Sequence, residues 1–427
     1  MSSGRRQEGV NMDFVYHYTD EQEKFRTEVR EWLGENVPDH FEQPHDSKHM
    51  DRETWEWAKE FRMKLGEQGW LYPTYPKEYG GGGLTAEHNM VIQEELKSLE
   101  LPIFNQFYDN SLDLPAIMVW GTEEQKKDFL PGRLSGDKLA WQLFTEPGAG
   151  SDLASLKTRA VKDGDDWVIT GEKVFVGGDH GYIDPETKVP DEMQVGEIFC
   201  LAITDPNAPR HRNMGYFYIP GMVPGMSVQT LDLLVGHGKR QVYLDNVRVS
   251  NERLIGGETQ GWQVAQTTLE IEHGGGGSII PRHATVEKFL NYIRDTGVGS
   301  DPHLQQIAMD AFIESEVLRL INMRNYWMYS TKQEMTYHGS QSSLIRKESD
   351  LVIADAIRDV IGLDSLLDVE DPGAEYEGEF EHHQRESLAG AHPGGTIEVQ
   401  RVIIARRIGV SRTQERAAPT PSTASAR

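Results

Sequence analysis

At 427 residues, with 37% hydrophobic and 26% charged side chains, the chain is long enough for two or three domains with a sizeable buried core. Its formal charge of −25 at pH 7 argues against nucleic acid or an anionic membrane as the main partner, because both would repel it. Cys200 is the only cysteine, which excludes an internal disulfide and any metal site built from several cysteines.

Helical patterns fill the first third, and we assign residues 13–138 to an N-terminal all-α domain. In "TDEQEKFRTEVREWLGENV" apolar residues recur at helical spacing after Thr19, the predicted N-cap. The stretches "ETWEWAKEFRMKLGEQGW" and "AEHNMVIQEELKSLE" repeat this pattern, and "TEEQKKDFLPGRLSG" predicts a further helix capped by Thr122.

Short runs at strand spacing then predict a middle β domain of sandwich or barrel type over residues 139–253. Examples are "KLAWQLF", "EIFCLAIT" and "RQVYLDNVRVS", and turn residues separate such runs. Helical periodicity returns over residues 254–412, and the small, polar residues 413–427 are expected to form a disordered tail. The first residues lack an apolar signal core and no apolar run could span a membrane, so we expect a cytoplasmic protein.

The strongest local motif is "WQLFTEPGAGSDLASLKTRA", in which a strand ends at Phe144. Gly148 and Gly150 permit close approach of the backbone, while Thr145, Ser151 and backbone amides offer hydrogen-bond donors. Such a loop suits a flat, polar-edged ring or a phosphate-bearing cofactor. A tight turn without a ligand uses the same residue types, and the motif alone leaves both interpretations open.

The motifs "KEYGGGG", "GTEEQKKDFLP", "TEPGAGSD", "DG..WVITGEKVFV" and "GGTIEVQRVIIARRIG" occur in that order along the chain. Together they resemble the acyl-CoA dehydrogenase family, over roughly residues 15–410. The resemblance implies an α+β fold with an N-terminal helical domain, a middle β-barrel or sandwich domain and a C-terminal four-helix bundle. It also implies FAD bound between the last two domains and between subunits.

Site residues follow from the same resemblance, position by position. Phe144 and Thr145 would lie beside the flavin ring, and Ser151 near the pyrophosphate or the CoA moiety. Phe175 stands where the family usually has a stacking Trp, and Gly177 where a hydroxyl residue is common. The late motif contributes two further positions that line the flavin site, Thr396 and Glu398.

Desaturation of an acyl thioester needs a base for the α-proton, while FAD accepts the β-hydride. In many members of the family that base is the Glu directly before "G-T" in the late motif, where this chain has Gly394 followed by Gly395. Other members place the base in an "E-R" pair on the first helix of the C-terminal domain. Counting Gly261 as the first residue, the twelfth is Glu272, and His273 takes the Arg position.

Glu272 is therefore the predicted catalytic base, and Glu270 should face about 200° away around the helix. His273, Gly394, Gly395 and Ser151 are the predicted substrate contacts. His273 could equally be a packed or capping residue. The four glycines 274–277 either widen the acyl cavity for a bulky group or only end the helix, and both interpretations stay open.

The sequence argues against three other kinds of site. "HGGG" can form an esterase oxyanion hole, but the required G-x-S-x-G elbow does not occur. A G-x-x-x-x-G-K-[ST] phosphate loop is also absent. The pair His382–His383 lacks a second ligand set, so we expect an exposed helix face rather than a metal site.

The chain lacks the "R-x-x-F-G" and "Q-x-x-G-G" segments with which most homotetrameric members hold the FAD adenosine of a neighbouring subunit. In this it resembles the heteromeric actinobacterial branch that acts on steroid and other bulky acyl-CoA thioesters. We therefore expect an acyl-CoA substrate, electron-transfer flavoprotein as the acceptor, and a homo- or heterotetramer, with α2β2 as one form. Two alternatives stay open, a non-catalytic partner subunit and a flavin monooxygenase on the same fold.

Overall fold

The computed structural model describes residues 18–38, 52–99, 111–177, 195–272 and 283–411. Before residue 139 the described chain is helical, in α1 Asp20–Asn36, α2 Arg52–Glu67, α3 Ala86–Ser98, α4 Asp113–Trp120 and α5 Glu123–Leu134. Both predicted caps are present. The hydroxyl of Thr19 accepts the backbone N–H of Gln22, and the side-chain oxygen of Gln22 accepts the backbone N–H of Thr19. Thr122 and Gln125 form the same pair of hydrogen bonds.

The middle domain is one eight-stranded sheet of order β6-β7-β3-β2-β4-β5-β8, with β1 pairing parallel to β4. The strands are β1 Leu139–Leu143, β2 Arg159–Asp163, β3 Asp166–Gly177, β4 Val195–Ile203, β5 Met214–Pro220, β6 Met226–Leu233, β7 Gly236–Ser250 and β8 Leu254–Ile255. β2 runs parallel to β4, and the other neighbouring pairs are antiparallel. The sheet thus extends two residues past the predicted boundary at 253.

The central strands β4 and β5 are buried on both faces. Ile198, Cys200 and Ala202 of β4 point into a core formed among the strands, while Phe199 and Leu201 point toward the N-terminal helices. Because side chains alternate along a strand, both sets must be apolar when both faces are covered. The near-continuous apolar run of "EIFCLAIT" follows from this double burial.

A buried ion pair joins the helical domain to the sheet. Arg133 of α5 donates to both carboxylate oxygens of Asp113 on α4, at 2.9 and 3.0 Å. The hydroxyl of Tyr218 on β5 also donates to Asp113, at 2.8 Å. Charge and hydrogen bonds are both satisfied in this buried cluster, as a buried carboxylate requires.

The C-terminal part is helical again, in α6 Gly261–Glu272, α7 Ala284–Thr296, α8 Pro302–Ser330, α9 His338–Ile361, α10 Glu379–Gly390 and α11 Ile397–Arg407. Asp301 caps α8, with Pro302 in the first turn where its missing N–H costs nothing. α7, α8, α9 and α10 share one core around Phe289, Ile357 and Phe380. The predicted α, β, α order and the α+β fold class are confirmed.

Among the residues described, no helix is both long and apolar enough to cross a membrane. The predicted tail at 413–427 lies outside the described residues.

Candidate functional site

The loop that follows β1 is a closed turn with open space on its glycine side. Glu146 and Ala149 exchange backbone hydrogen bonds at 3.1 and 3.0 Å, which closes the turn. A Cβ at Gly148 or Gly150 would meet no atom of the described chain within 4 Å, and neither glycine has a positive φ. Packing and backbone strain therefore do not explain these glycines, so the open side can admit a ligand's flat face or phosphate.

Phe144 lies in the core at the start of this loop. Its ring is buried and packs edge-on against Phe199 and Tyr216, with centroid separations of 5.7 and 6.0 Å. The next residue, Thr145, is half-buried, and its carbonyl accepts the N–H of Val174 on β3 at 2.9 Å. Ser151 lies at the exposed far end of the same loop. The loop is thus attached directly to the strand that carries Phe175.

Phe175 sits on a β-bulge where the pairing of β3 with β7 shifts between Lys173 and Val176. Its φ of 57° is left-handed, and 57% of its surface is exposed. An aromatic residue in this backbone conformation costs about 1–2 kcal/mol. The bulge takes the ring out of the alternating pattern and leaves it exposed, one residue after Val174, which bonds to Thr145 at the start of the glycine turn.

Gly177 follows on β3, opposite Lys239 of β7. A Cβ at Gly177 would lie 2.4 Å from the Lys239 ammonium nitrogen. The missing side chain therefore lets this lysine lie close against the strand, and a residue with a hydroxyl would displace it.

The late glycine loop is held by buried polar side chains. Lys347 of α9 donates to the carbonyls of Gly390 and Pro393 at 2.7 and 2.6 Å. Gln400 of α11 donates to the carbonyl of Gly394 at 2.7 Å. Gly394 and Gly395 have φ values of 62° and 79°, a left-handed backbone that favours glycine.

This loop ends at the start of α11. Thr396 is its N-cap and accepts the N–H of Val399 at 3.2 Å. Glu398 lies exposed in the first turn, where hydrogen bonds from its own backbone N–H and from the Thr396 hydroxyl lower the pKa of its carboxyl. A carboxylate in the first turn also matches the helix dipole.

Helix α6 is anchored at its start and along its length. A Cβ at Gly261 would meet the backbone of Gly215 on β5 at 2.5 Å, so only glycine allows this approach. Farther along, Thr267 accepts the indole N–H of Trp120 at 3.0 Å, and the hydroxyl of Thr268 lies 3.4 Å from that of Tyr216. These contacts fix the helix against the other two domains.

The two glutamates of α6 can be described only in part. Glu272 is the last residue of the helix, and the described structure does not include its side chain. Glu270 is half-buried. Burial raises the pKa of its carboxyl, and the positive charge of Arg407 on α11 partly opposes that rise. His273 and the glycines 274–277 lie outside the described residues.

The expectation that His382 and His383 form an exposed face is wrong, because His382 is half-buried and His383 is buried. Its ring is buried, 5.5 Å from the ring of His283, because α10 turns this side toward α7 and α9. Burial, together with the nearby His283, lowers the pKa of His383 to about 4. Across the described ranges no group of three or more His, Cys, Asp or Glu is arranged to hold a metal ion.

The sequence interpretation missed the buried lysines Lys173 and Lys347. A signal for Lys173 was available, because it follows Trp167, Ile169 and Gly171 at the inward period of β3. A lysine in an inward register is rarely tolerated unless it is paired. Lys347 has no comparable signal, because on a long helix its face depends on how α9 packs.

Family models match two long segments of the chain. A model of the N-terminal domain of acyl-CoA dehydrogenase matches residues 19–137, and a model of its C-terminal domain matches residues 259–409. Acyl-CoA dehydrogenase IpdE1 of Mycobacterium tuberculosis is 29% identical over 395 residues, which are 90% of this chain and 97% of that protein. Acyl-CoA dehydrogenase FadE26 of the same organism is 28% identical, covering 91% and 96%.

Solved structures agree with these relatives. The Tcur3481-Tcur3483 steroid ACAD superposes with a TM-score of 0.76 at 28% identity, covering 93% of this chain and 99% of that one. The ChsE4-ChsE5 complex from Mycobacterium tuberculosis gives 0.75 at 26% identity, covering 93% and 100%. Each of these two proteins is named for two components.

Proposed function

This chain belongs to the acyl-CoA dehydrogenase family of flavin-dependent oxidoreductases, and we propose that it binds FAD and desaturates an acyl-CoA thioester to the trans-2-enoyl-CoA. One observation carries the proposal for this chain. The exposed Phe175 ring and the open glycine turn lie on neighbouring segments joined by the Val174–Thr145 hydrogen bond. A flat aromatic surface beside a side-chain-free turn fits a flavin ring. Bound FAD would accept the hydride from the substrate β-carbon.

Glu272 is the proposed base for the α-proton. Gly394 cannot take a proton at the family's other base position, because it has no side chain. The contacts of Gly261, Thr267 and Thr268 hold α6 rigidly, which supports a base at its end, since a catalytic carboxylate needs a fixed position. Two residues along a helix correspond to about 200° of rotation, so Glu270, whose carboxyl feels the charge of Arg407, should face another side and is not assigned this role.

The remaining residues would bind and orient. Phe144 and Thr145 would lie beside the flavin, with Phe175 against it and Gly177 next to it. Ser151 would bind the pyrophosphate or the CoA moiety, while Thr396 and Glu398 would line the flavin site from α11. Gly394, Gly395 and His273 would line the acyl pocket. The left-handed backbone at Gly394 and Gly395 supports a wall without side chains at that place.

A bulky or steroid acyl group is the proposed substrate class. The similar Tcur3481-Tcur3483 protein is named a steroid ACAD. In this chain the absence of a side chain at Gly394 and the run of glycines at 274–277 would leave room for such a group. Electrons would pass on to an electron-transfer flavoprotein.

A multimer of dehydrogenase chains is the proposed assembly, either a homotetramer or an α2β2 form. Helix α8 has large apolar side chains on two opposite faces. One face lies in the core, and the other leaves Met309, Ile313, Val317 and Leu320 exposed at helical spacing. An apolar stripe of this length on a long helix supports burial against another subunit.

The test of the chemistry compares two neighbouring glutamates. Glu272→Gln should keep FAD but lower the rate at which acyl-CoA bleaches the flavin under anaerobic conditions by roughly 10²- to 10⁴-fold. Glu270→Gln, on the same helix, is the matched control and should stay within a fewfold of the wild-type rate. Near-normal bleaching by Glu272→Gln would overturn the assignment of the base. Anaerobic bleaching of the wild type by acyl-CoA would also exclude a flavin monooxygenase.

A non-catalytic partner subunit is the second candidate, favoured by the glycine at 394. We would purify the chain alone and after co-expression with a related dehydrogenase chain, and measure bound FAD and acyl-CoA reduction. If the complex turns over and Glu272→Gln leaves its rate unchanged, this chain is the non-catalytic partner. If Glu272→Gln abolishes turnover in the complex, this chain carries the base.

A further inference from the structure

Lys173 is a fully buried lysine whose ammonium is surrounded by oxygen acceptors. It donates to the carbonyls of Phe144 and Leu201 at 3.1 and 2.9 Å, and to the carboxylate of Glu146 at 2.9 Å. An ammonium group has three N–H donors, and each has a partner here. The group is therefore fully satisfied away from water, and it joins three separate segments of the chain.

Glu146, in the loop after β1, is satisfied in the same way. One carboxylate oxygen accepts the N–H of Thr158 at 2.9 Å as well as the bond from Lys173, and the other accepts the N–H of Lys157 at 2.6 Å. Burial alone would raise the pKa of this carboxyl, but the charge of Lys173 and these hydrogen bonds lower it. Glu146 thus stays charged and holds the base of the glycine turn.

These bonds converge on the two walls of the candidate flavin site. Lys173 holds the end of β1 through Phe144 and the loop through Glu146, and it lies two residues before Phe175 on β3. Between them, Val174 donates to the carbonyl of Thr145. The bulge that exposes Phe175 begins directly after Lys173. A shift of Lys173 would therefore move both the aromatic wall and the glycine turn.

The sheet also contains a buried carboxylate that has no such connection. Glu197 on β4 accepts from Lys138 at 2.9 Å and from Arg253 at 3.0 Å, and it is as buried as Lys173. Among the described residues its side-chain partners lie on the segment before β1 and on the turn before β8, away from Phe175. Loss of either cluster should weaken the fold, but only the first should alter the flavin site.

We propose that Glu146 and Lys173 are positioning residues that set the distance and orientation between the Phe175 ring and the glycine turn, and so determine how tightly and in what orientation FAD is held. Both side chains are buried, so they would act through the segments they hold rather than by contact with the substrate. The inference rests on the FAD site proposed above.

The test measures the FAD dissociation constant and the visible circular dichroism of the bound flavin, alongside the thermal midpoint. Lys173→Met and Glu146→Gln should each weaken FAD binding roughly tenfold or more and change the flavin dichroism. Glu197→Gln is the control and should lower the thermal midpoint while both flavin readouts stay at wild-type values. A purely structural role would move all three variants in the same way.

Burying one charge without its partner can prevent folding, so the double variant Glu146→Gln/Lys173→Met is included, because it leaves neither charge unpaired. It too should fold yet bind FAD more weakly, with altered dichroism. Wild-type affinity and dichroism in the double variant would overturn the inference while leaving the proposed function intact. If the wild-type chain takes up no FAD, alone or with a partner chain, the proposed function and this inference both fall.

Discussion

The indole N–H of Trp120 donates to the hydroxyl of Thr267 at 3.0 Å, across 147 residues of sequence. Trp120 ends α4 in the N-terminal domain, and Thr267 lies at the middle of α6, the helix that ends at Glu272. On the next residue, Thr268 meets Tyr216 of the β domain. Through these two threonines, the helix that carries the proposed base is held by both other domains.

Trp120→Phe should lower the free energy of unfolding by about 1–2 kcal/mol, because the buried Thr267 hydroxyl loses its donor. Thermal or urea unfolding measures this loss. Replacing both partners, in Trp120→Phe/Thr267→Val, should cost less than the sum of the two single changes, since no polar group is then stranded. Strict additivity of the two changes would contradict the hydrogen bond.

Lys347→Met should lower the free energy of unfolding by about 2–3 kcal/mol and raise the KM for acyl-CoA, because the carbonyls of Gly390 and Pro393 lose a charged donor. The loop they belong to contains the proposed acyl-pocket glycines. Arg346→Met, at the neighbouring position, removes only a partly exposed pair with Asp350 and should cost less than about 1 kcal/mol. Equal losses in both variants would refute the holding role of Lys347.

Phe175→Gly should weaken FAD binding by about 0.5–1.5 kcal/mol, roughly two- to tenfold, without destabilising the fold. Glycine adopts the left-handed backbone at this bulge freely, and the relief offsets the greater entropy of an unfolded glycine. Val161→Gly, at an exposed position on β2 with ordinary strand geometry, should cost about 1 kcal/mol and leave FAD binding unchanged. Titration of FAD into the apoprotein and thermal unfolding separate the two effects.

His383 should make the protein less stable in mild acid. Its pKa falls from 6.5 to about 4 in the folded state, owing to burial and the nearby His283, with Asp350 and Glu379 opposing that fall. Between those values the unfolded chain binds the extra proton, so stability is lost as the pH falls through this window. The loss attributable to His383 between pH 7 and pH 5 is about 2 kcal/mol.

Between pH 7 and pH 5, His383→Gln should lose about 2 kcal/mol less free energy of unfolding than the wild type. His303→Gln, an exposed histidine at the start of α8, is the control and should leave the acid sensitivity unchanged. If His383→Gln is as acid-sensitive as the wild type, the buried ring is not responsible.

The sequence predicts correctly those features that depend only on residues close together in the chain. The caps at Thr19 and Thr122 form as predicted, because a hydroxyl three residues before a free N–H needs no tertiary help. The "TEPGAGSD" loop was recognised as a tight turn or a ligand cradle, and the structure shows a closed turn whose glycines face open space. The turn is thus confirmed, while its role as a ligand cradle stays a prediction.

Features that depend on partners distant in sequence were not predicted. Lys173 is buried because Phe144 and Glu146, in the segment after β1, and Leu201 on β4 supply acceptors. The left-handed backbone of Phe175 arises where the pairing of β3 with β7 slips, and residue type gives no sign of it. His383 was expected on an exposed face, although α7 and α9 cover it.

By itself, the sequence determined the order of the three domains, the family and the candidate residues, because periodicity, caps and ordered motifs are written along the chain. Only the tertiary structure decided which charges are buried, that the Phe175 ring faces outward, and that α6 is held by Trp120 and Tyr216. Those properties depend on contacts between residues far apart in sequence. Acceptors from other segments allow Lys173 to be buried, and the shift in the pairing of β3 with β7 exposes Phe175.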